Sequence, residues 1–118
     1  MESTETIDAL AALAQTTRLE TFRLLVRREP DGAPAGELAR LLGVPQSTMS
    51  THLGVLSRCG LVIAERQSRS MLYRADLARV SAVITFLLKD CCGEKSGVCA
   101  PLVADLVPRC RSKEVVRG

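Results

Sequence analysis

The chain has 118 residues, 47% hydrophobic and 25% charged, with a formal net charge of +3 at pH 7. These values describe a globular chain with one modest core and argue against a disordered or multidomain protein. No long uncharged apolar run is present and the amino terminus is acidic (Glu2, Glu5, Asp8). That argues against a membrane span or a signal peptide, and a cytoplasmic protein with reduced thiols is expected.

Aromatic residues are scarce (Phe22, Phe86, Tyr73, no Trp), so Leu, Val, Ile and Ala must fill the core. Ile7, Leu10, Leu13 and Ala14 recur at helical spacing and predict a first helix, with Asp8 near its start. A second runs from about Arg18, with Leu19, Phe22, Leu25 and Val26 on one face, until Pro30-Asp31-Gly32 breaks it. Glu37 to Leu42 predicts a short helix with Leu38, Leu41 and Leu42 inward, ended by Gly43. Its successor begins at Pro45, where a missing backbone donor costs nothing, buries Met49, Leu53 and Leu56, and stops at Cys59-Gly60.

Two β-prone pieces follow, Leu61–Glu65 and Met71–Arg74, joined by the polar, basic stretch Arg66-Gln67-Ser68-Arg69-Ser70. Asp76 is placed to cap a last long helix whose stripe is Val80, Val83, Ile84, Leu87 and Leu88. Pro101–Val107 reads as one or two helical turns, and the basic end from Arg109 as a mobile tail. No repeat or linker appears. Residues 1–90 are therefore read as one domain, and residues 91–118 as a cysteine-containing segment and tail.

Charge locates the working surface. Between Ala35 and Arg74 lie Arg40, Arg58, Arg66, Arg69 and Arg74 against only Glu37 and Glu65, an excess equal to that of the whole chain. A local basic surface of this kind is the footprint of a nucleic-acid binder. Helix, tight turn, helix and basic hairpin in that order make a winged helix-turn-helix: mainly α with a small β-hairpin. The second helix of the pair fits the major groove. With Met49, Leu53 and Leu56 turned inward, Gln46, Ser47, Ser50 and Thr51 face outward, while Arg66 and Arg69 reach backbone or minor groove.

These residues carry a resemblance. Glu37-Leu38-Ala39-Arg40-Leu41-Leu42-Gly43-Val44-Pro45-Gln46-Ser47-Thr48-Met49-Ser50-Thr51-His52-Leu53, continuing to Leu56 and Cys59-Gly60-Leu61-Val62, resembles the DNA-binding core of the ArsR/SmtB family of metalloregulatory repressors. The likeness extends back to Leu13-Ala14-Gln15-Thr16-Thr17-Arg18-Leu19 and forward to Tyr73-Arg74. Pro45 departs from the pattern, where a capping Ser is more usual.

The resemblance implies a homodimer that binds palindromic double-stranded operator DNA and leaves when an inducer binds. It also implies a dimer interface between the first and last long helices, which here means Leu10 with Val80, Val83, Ile84 and Leu87. The stripe on the last helix fits that role on its own; packing onto the chain's own core is the alternative. His52, the single histidine, is either a DNA contact or a packing residue.

Family members carry inducer sites in different places. The arsenic site on the first helix of the DNA-binding pair needs cysteines, and Glu37–Leu41 has none. The zinc site on the last helix needs histidine, and 76–89 has none. Cys91, Cys92 and Cys99 resemble the carboxy-terminal cysteine triad of a subset of arsenic-responsive, arsenical-resistance members. Soft thiolates select thiophilic centres, and trivalent arsenic or antimony takes three sulfurs. Adjacent helical side chains diverge by about 100°, so Gly93 is expected to let the chain leave the helix and Cys99 to fold back as third ligand.

Cys59 reads as a small buried residue and Cys110 as an idle thiol or a fourth sulfur, which would suit zinc or cadmium. Oxidation pairing Cys91 or Cys92 with Cys99 is a further alternative. No Cys-x-x-Cys, Ser–His–Asp set, phosphate loop or carboxylate pair in a recognisable context supports an enzyme, and no organic cofactor is implied. A metallochaperone would have no use for the Gln46–Thr51 face.

Overall fold

The computed structural model describes the backbone of residues 1–94 and the side chains through residue 88. Small residues decide how the first helix, α1 (Ser3–Leu13), sits. Thr6, Ala9 and Ala12 face inward, whereas Ile7 and Leu10 are 63% and 42% exposed. The inner face is thus made of short side chains that allow close helix approach, and the larger apolar residues point out. Glu2 and Glu5 form a reciprocal capping box at its start.

In α2 (Thr16–Arg27) the Gln15 side chain accepts from the Arg18 amide at 2.8 Å and caps the helix. Thr21, Phe22 and Leu25 are buried, while Leu19 and Val26, expected inward, are exposed. Thr21 takes the inward position because its hydroxyl donates to the Thr17 carbonyl at 2.7 Å, leaving no unsatisfied polar atom.

Strand β1 (Ala33–Pro34) has no counterpart in the sequence reading. It pairs antiparallel with β3, Ala33 with Tyr73 and Pro34 with Leu72, and makes the expected hairpin the major part of a three-stranded sheet, order β1-β3-β2. Two residues, one a proline, carry no alternation to read; a proline is tolerated at a sheet edge. Gly32 makes the approach possible. Its φ is +71°, and a Cβ there would collide with the Tyr73 carbonyl oxygen. Gly32→Ala is expected to cost about 1–3 kcal/mol through the left-handed backbone and the clash, read as a lowered denaturation midpoint in urea.

In α3 (Ala35–Leu42), closed by Gly43 at φ 69°, Leu38 and Ala39 are buried and Leu42 packs on the core. Leu41, expected inward, is 43% exposed, because the helical step carries it off the face shared by 38, 39 and 42. The next helix, α4 (Gln46–Arg58), starts one residue later than expected: Pro45 is its cap, with extended backbone, rather than its first turn. Met49, Leu53 and Leu56 are fully buried, as their spacing requires.

Strands β2 (Val62–Gln67) and β3 (Ser70–Ala75) pair through to Gln67 and Ser70. The basic joining stretch is therefore mostly strand, with only Ser68 (φ 57°) and Arg69 as the turn. Asp76 caps α5 (Leu77–Glu94), its carboxylate accepting from the Ala78 and Arg79 amides at 3.1 and 3.3 Å.

Met1–Val83 form one compact unit, and α5 continues into a second that begins at Ile84. The core of the first unit includes Ala9, Ala12, Phe22, Leu25, Leu38, Met49, Leu53, Leu56, Leu61 and Val83. Among the described residues no helix is long and apolar enough to cross a membrane.

Candidate nucleic-acid interface

The inward stripe of α4 dictates what its outer face presents. With Met49, Leu53 and Leu56 locked in the core, Gln46, Ser47, Ser50 and Thr51 all lie exposed on the first two turns. Thr51 Oγ1 donates back to the Ser47 carbonyl at 3.2 Å, which orients its lone pairs outward as acceptors. The Gln46 amide lies against Gly36 of α3, where a Cβ would sit 3.5 Å from its Oε1.

His52 is half-buried one step further along. Arg18 Nη1 donates to its Nδ1 at 3.3 Å, and Arg18 Nε donates to the Ala12 carbonyl at 2.6 Å. A guanidinium cannot accept, so the ring proton belongs on Nε2. One arginine thus ties the end of α1 to the middle of α4. Nothing in the spacing of these residues announces that link, although Arg18 falls within the stretch that carries the family resemblance.

The arginines separate into two groups. Arg66, on β2 opposite Met71, and Arg69, in the turn, are exposed and carry no ion pair among the described residues; the same holds for Arg40 and Arg58. Arg74 does not belong with them. It is paired with Glu29 at 2.9 Å and Glu65 at 3.2 Å. The hydrogen bonds that Arg74 donates to Glu29, and then the Glu29 charge, raise the Arg74 guanidinium above its already high ordinary value. The excess of arginine counted along the sequence therefore overstates the contribution of Arg74, while Glu37 is neutralised by Arg28 at 2.8 Å. What remains exposed without an ion pair among the described residues is Arg66 and Arg69 at the hairpin tip, Arg40 on α3 and Arg58 at the end of α4.

Of the apolar positions assigned to a dimer interface, Val83 is 7% exposed and lies in the chain's own core, with Val80 packed against it. Leu10, Ile84 and Leu87 are 42%, 41% and 56% exposed.

For the cysteines, α5 runs unbroken through Cys91, Cys92 and Gly93 to Glu94, in place of the expected exit at Gly93. The helix register puts positions 84, 87 and 91 in line. Cys99 and Cys110 lie outside the described residues. Among the described residues no three side chains of metal-ligating type come together. Cys59 is half-buried rather than buried, its thiol donating to the Leu56 carbonyl at 3.4 Å. It opens on a shallow groove of about 410 Å³ lined also by Asp8, Ala11, Ala12, Arg18, Val55 and Arg58.

Residues 13–64 match a family model described as a helix-turn-helix domain. The transcriptional activator HlyU of Vibrio cholerae is 31% identical over 90 residues, covering 76% of this chain and 81% of that protein. A probable mercury resistance operon repressor of Streptomyces lividans is 36% identical over 90 residues, 69% of this chain and 70% of the relative. Among solved structures, an ArsR-like transcriptional regulator from Rhodococcus sp. RHA1 superposes with a TM-score of 0.65 at 27% identity, covering 87% of this chain and 93% of that one. A homodimeric winged helix-turn-helix DNA-binding domain from Mycobacterium bovis gives 0.59 at 27% identity, over 74% and 81%.

Proposed function

The chain belongs to the ArsR/SmtB family of winged-helix transcriptional regulators, and from that premise we propose that it is a homodimeric repressor, released from operator DNA when trivalent arsenic binds Cys91, Cys92 and Cys99. Antimony(III) is expected to act alike. The DNA-binding part rests on one observation above all. The polar face Gln46, Ser47, Ser50, Thr51 stands exposed over a fully buried stripe, beside a wing tipped by arginines that hold no ion pair among the described residues. Groove readout needs that pairing of small hydrogen-bonding side chains with nearby phosphate contacts.

The inducer part rests on the donor set and on where α5 carries it. Three thiolates suit a thiophilic trivalent centre, which when bound supplies a pyramidal junction between its sulfurs. Cys91 and Cys92 share a helix with Ile84 and Leu87, the exposed apolar residues that suit a dimer interface. Adjacent positions of an intact helix diverge by about 100°, so binding requires the last turn to open. Gly93 lies there and resists opening less than any residue but proline. Opening it disturbs the helix that carries the dimer stripe, a direct route from thiol to operator affinity. A divalent soft metal on the same thiolates is the second reading. The likeness to the Streptomyces lividans protein, named for mercury resistance, favours it.

Fluorescence anisotropy on a labelled fragment upstream of its own gene tests both. Release by arsenite or antimonite but not by zinc, cadmium or mercury supports the first reading, and the reverse supports the second. In the same assay Ser50→Ala or Thr51→Ala is expected to weaken operator binding about fivefold, the size of one lost hydrogen bond. Arg69→Ala should weaken all sequences alike and make the salt dependence shallower by about one unit of slope.

A further inference from the structure

One guanidinium joins the base of the wing to the helical body, beside the buried Leu61, Val62 and Ala75. Arg74 Nη2 and Nε donate to Oε1 and Oε2 of Glu29 at 2.9 and 3.4 Å, and its Nη1 donates to Oε2 of Glu65 at 3.2 Å. Glu29 belongs to the turn between α2 and β1, whereas Glu65 lies diagonally across the hairpin on β2. The two carboxylates thus reach Arg74 from the helical body and from the wing. Backbone attachment between these parts runs through the short β1, whose Pro34 donates nothing, and through the Leu61 amide on the Leu56 carbonyl at 3.0 Å. The Glu29 side chain is 19% exposed, enough burial to limit screening of the pair.

From this geometry we infer that Arg74 is a positioning residue for DNA binding: clamped by Glu29 and Glu65, it sets the angle of the wing so that Arg66 and Arg69 reach the phosphates flanking α4. The inference rests on the reading of the chain as a DNA-binding regulator. The rival role, Arg74 itself on a phosphate, is disfavoured by charge and geometry. Two carboxylates around one guanidinium leave a local charge of the wrong sign, and both edges of the planar fork are already engaged.

The test uses the full chain and the DNA fragment named above. Glu29→Gln is nearly isosteric and removes a negative charge close to the DNA-binding surface, so Coulomb's law alone predicts tighter binding. The clamp predicts the opposite, a loss of about fivefold. Arg74→Met should lose as much, and the Glu29→Gln/Arg74→Met double variant no more than either single one. In an Arg66→Ala/Arg69→Ala background neither change should matter further, a result that a general loss of stability would not give. Thermal midpoints by circular dichroism identify any variant that fails to fold, and Glu65→Gln then serves as the second probe of the clamp. Unchanged or tighter binding by Glu29→Gln overturns the inference. So does a loss on Arg74→Met that persists in the Arg66→Ala/Arg69→Ala background, which would make Arg74 a contact. A wild-type protein that binds no DNA overturns the underlying reading and the clamp with it.

Discussion

Serine in place of Cys91, Cys92 or Cys99 is expected to leave operator binding intact and to abolish release by arsenite. Serine is close to cysteine in size but carries a protonated hydroxyl in place of a soft sulfur, so each variant removes one ligand and little else. Losing an outer partner of a metal ligand costs about 10–100-fold in affinity. Losing a ligand itself should cost at least the upper end of that range. Cys91 and Cys92 lie on the backbone of α5, far along the chain from the reading face on α4, so the unliganded affinity for DNA should not move. The decisive comparison is the arsenite concentration giving half release in anisotropy, wild type against each variant. Unchanged release in all three would remove the triad, and attention would pass to the groove beside Cys59.

The second large effect is expected at Leu87. Leu87 is 56% exposed on a helix that also exposes Ile84, and both suit the proposed dimer interface. Leu87→Glu would place an unpaired charge at that surface, and burying one costs several kcal/mol. The proposed dimer should dissociate, observed as a halved mass in sedimentation. Operator affinity should fall at least about 100-fold, because two half-sites joined in one particle bind with high effective concentration and a lone subunit does not. The monomer itself should fold normally, since the position is already in water within one chain; its circular dichroism and thermal midpoint report that. A monomeric variant with undiminished affinity for the full operator would contradict the assignment.

Both predictions depend on features that are readable along the chain, and the reasons differ. The order helix, turn, helix, hairpin is punctuated by Gly43, Pro45 and Gly60, and each does locally what its chemistry allows: Gly43 and Gly60 take positive φ, and Pro45 caps. The stripe Met49, Leu53, Leu56 is an interval pattern, and the helix converts intervals into a face without help from the rest of the molecule. The outward set Gln46, Ser47, Ser50 and Thr51 follows from the same intervals, as their complement. The cysteines are legible as a donor type, soft thiols that favour thiophilic centres.

Other features depend on neighbours that the local pattern does not name. The inner face of α1 is Thr6, Ala9 and Ala12 rather than the larger Ile7 and Leu10, since what decides is the space left by the elements packed against it. Leu19, Val26 and Leu41 are apolar yet exposed, because periodicity allows several faces and packing selects one. Strand β1 exists only because β3 lies alongside. Arg74 counts toward a basic surface along the chain, but folding brings it to Glu29, 45 residues away, and Arg18 meets His52 across 34. The amino-acid sequence by itself determined the order of the elements, the outward polar face of α4 and the presence of thiols near the end of α5, all properties of type and short-range spacing. The tertiary structure decided which arginines are ion-paired and which stand exposed, because long-range charge pairing is set by packed geometry and leaves no trace in local periodicity.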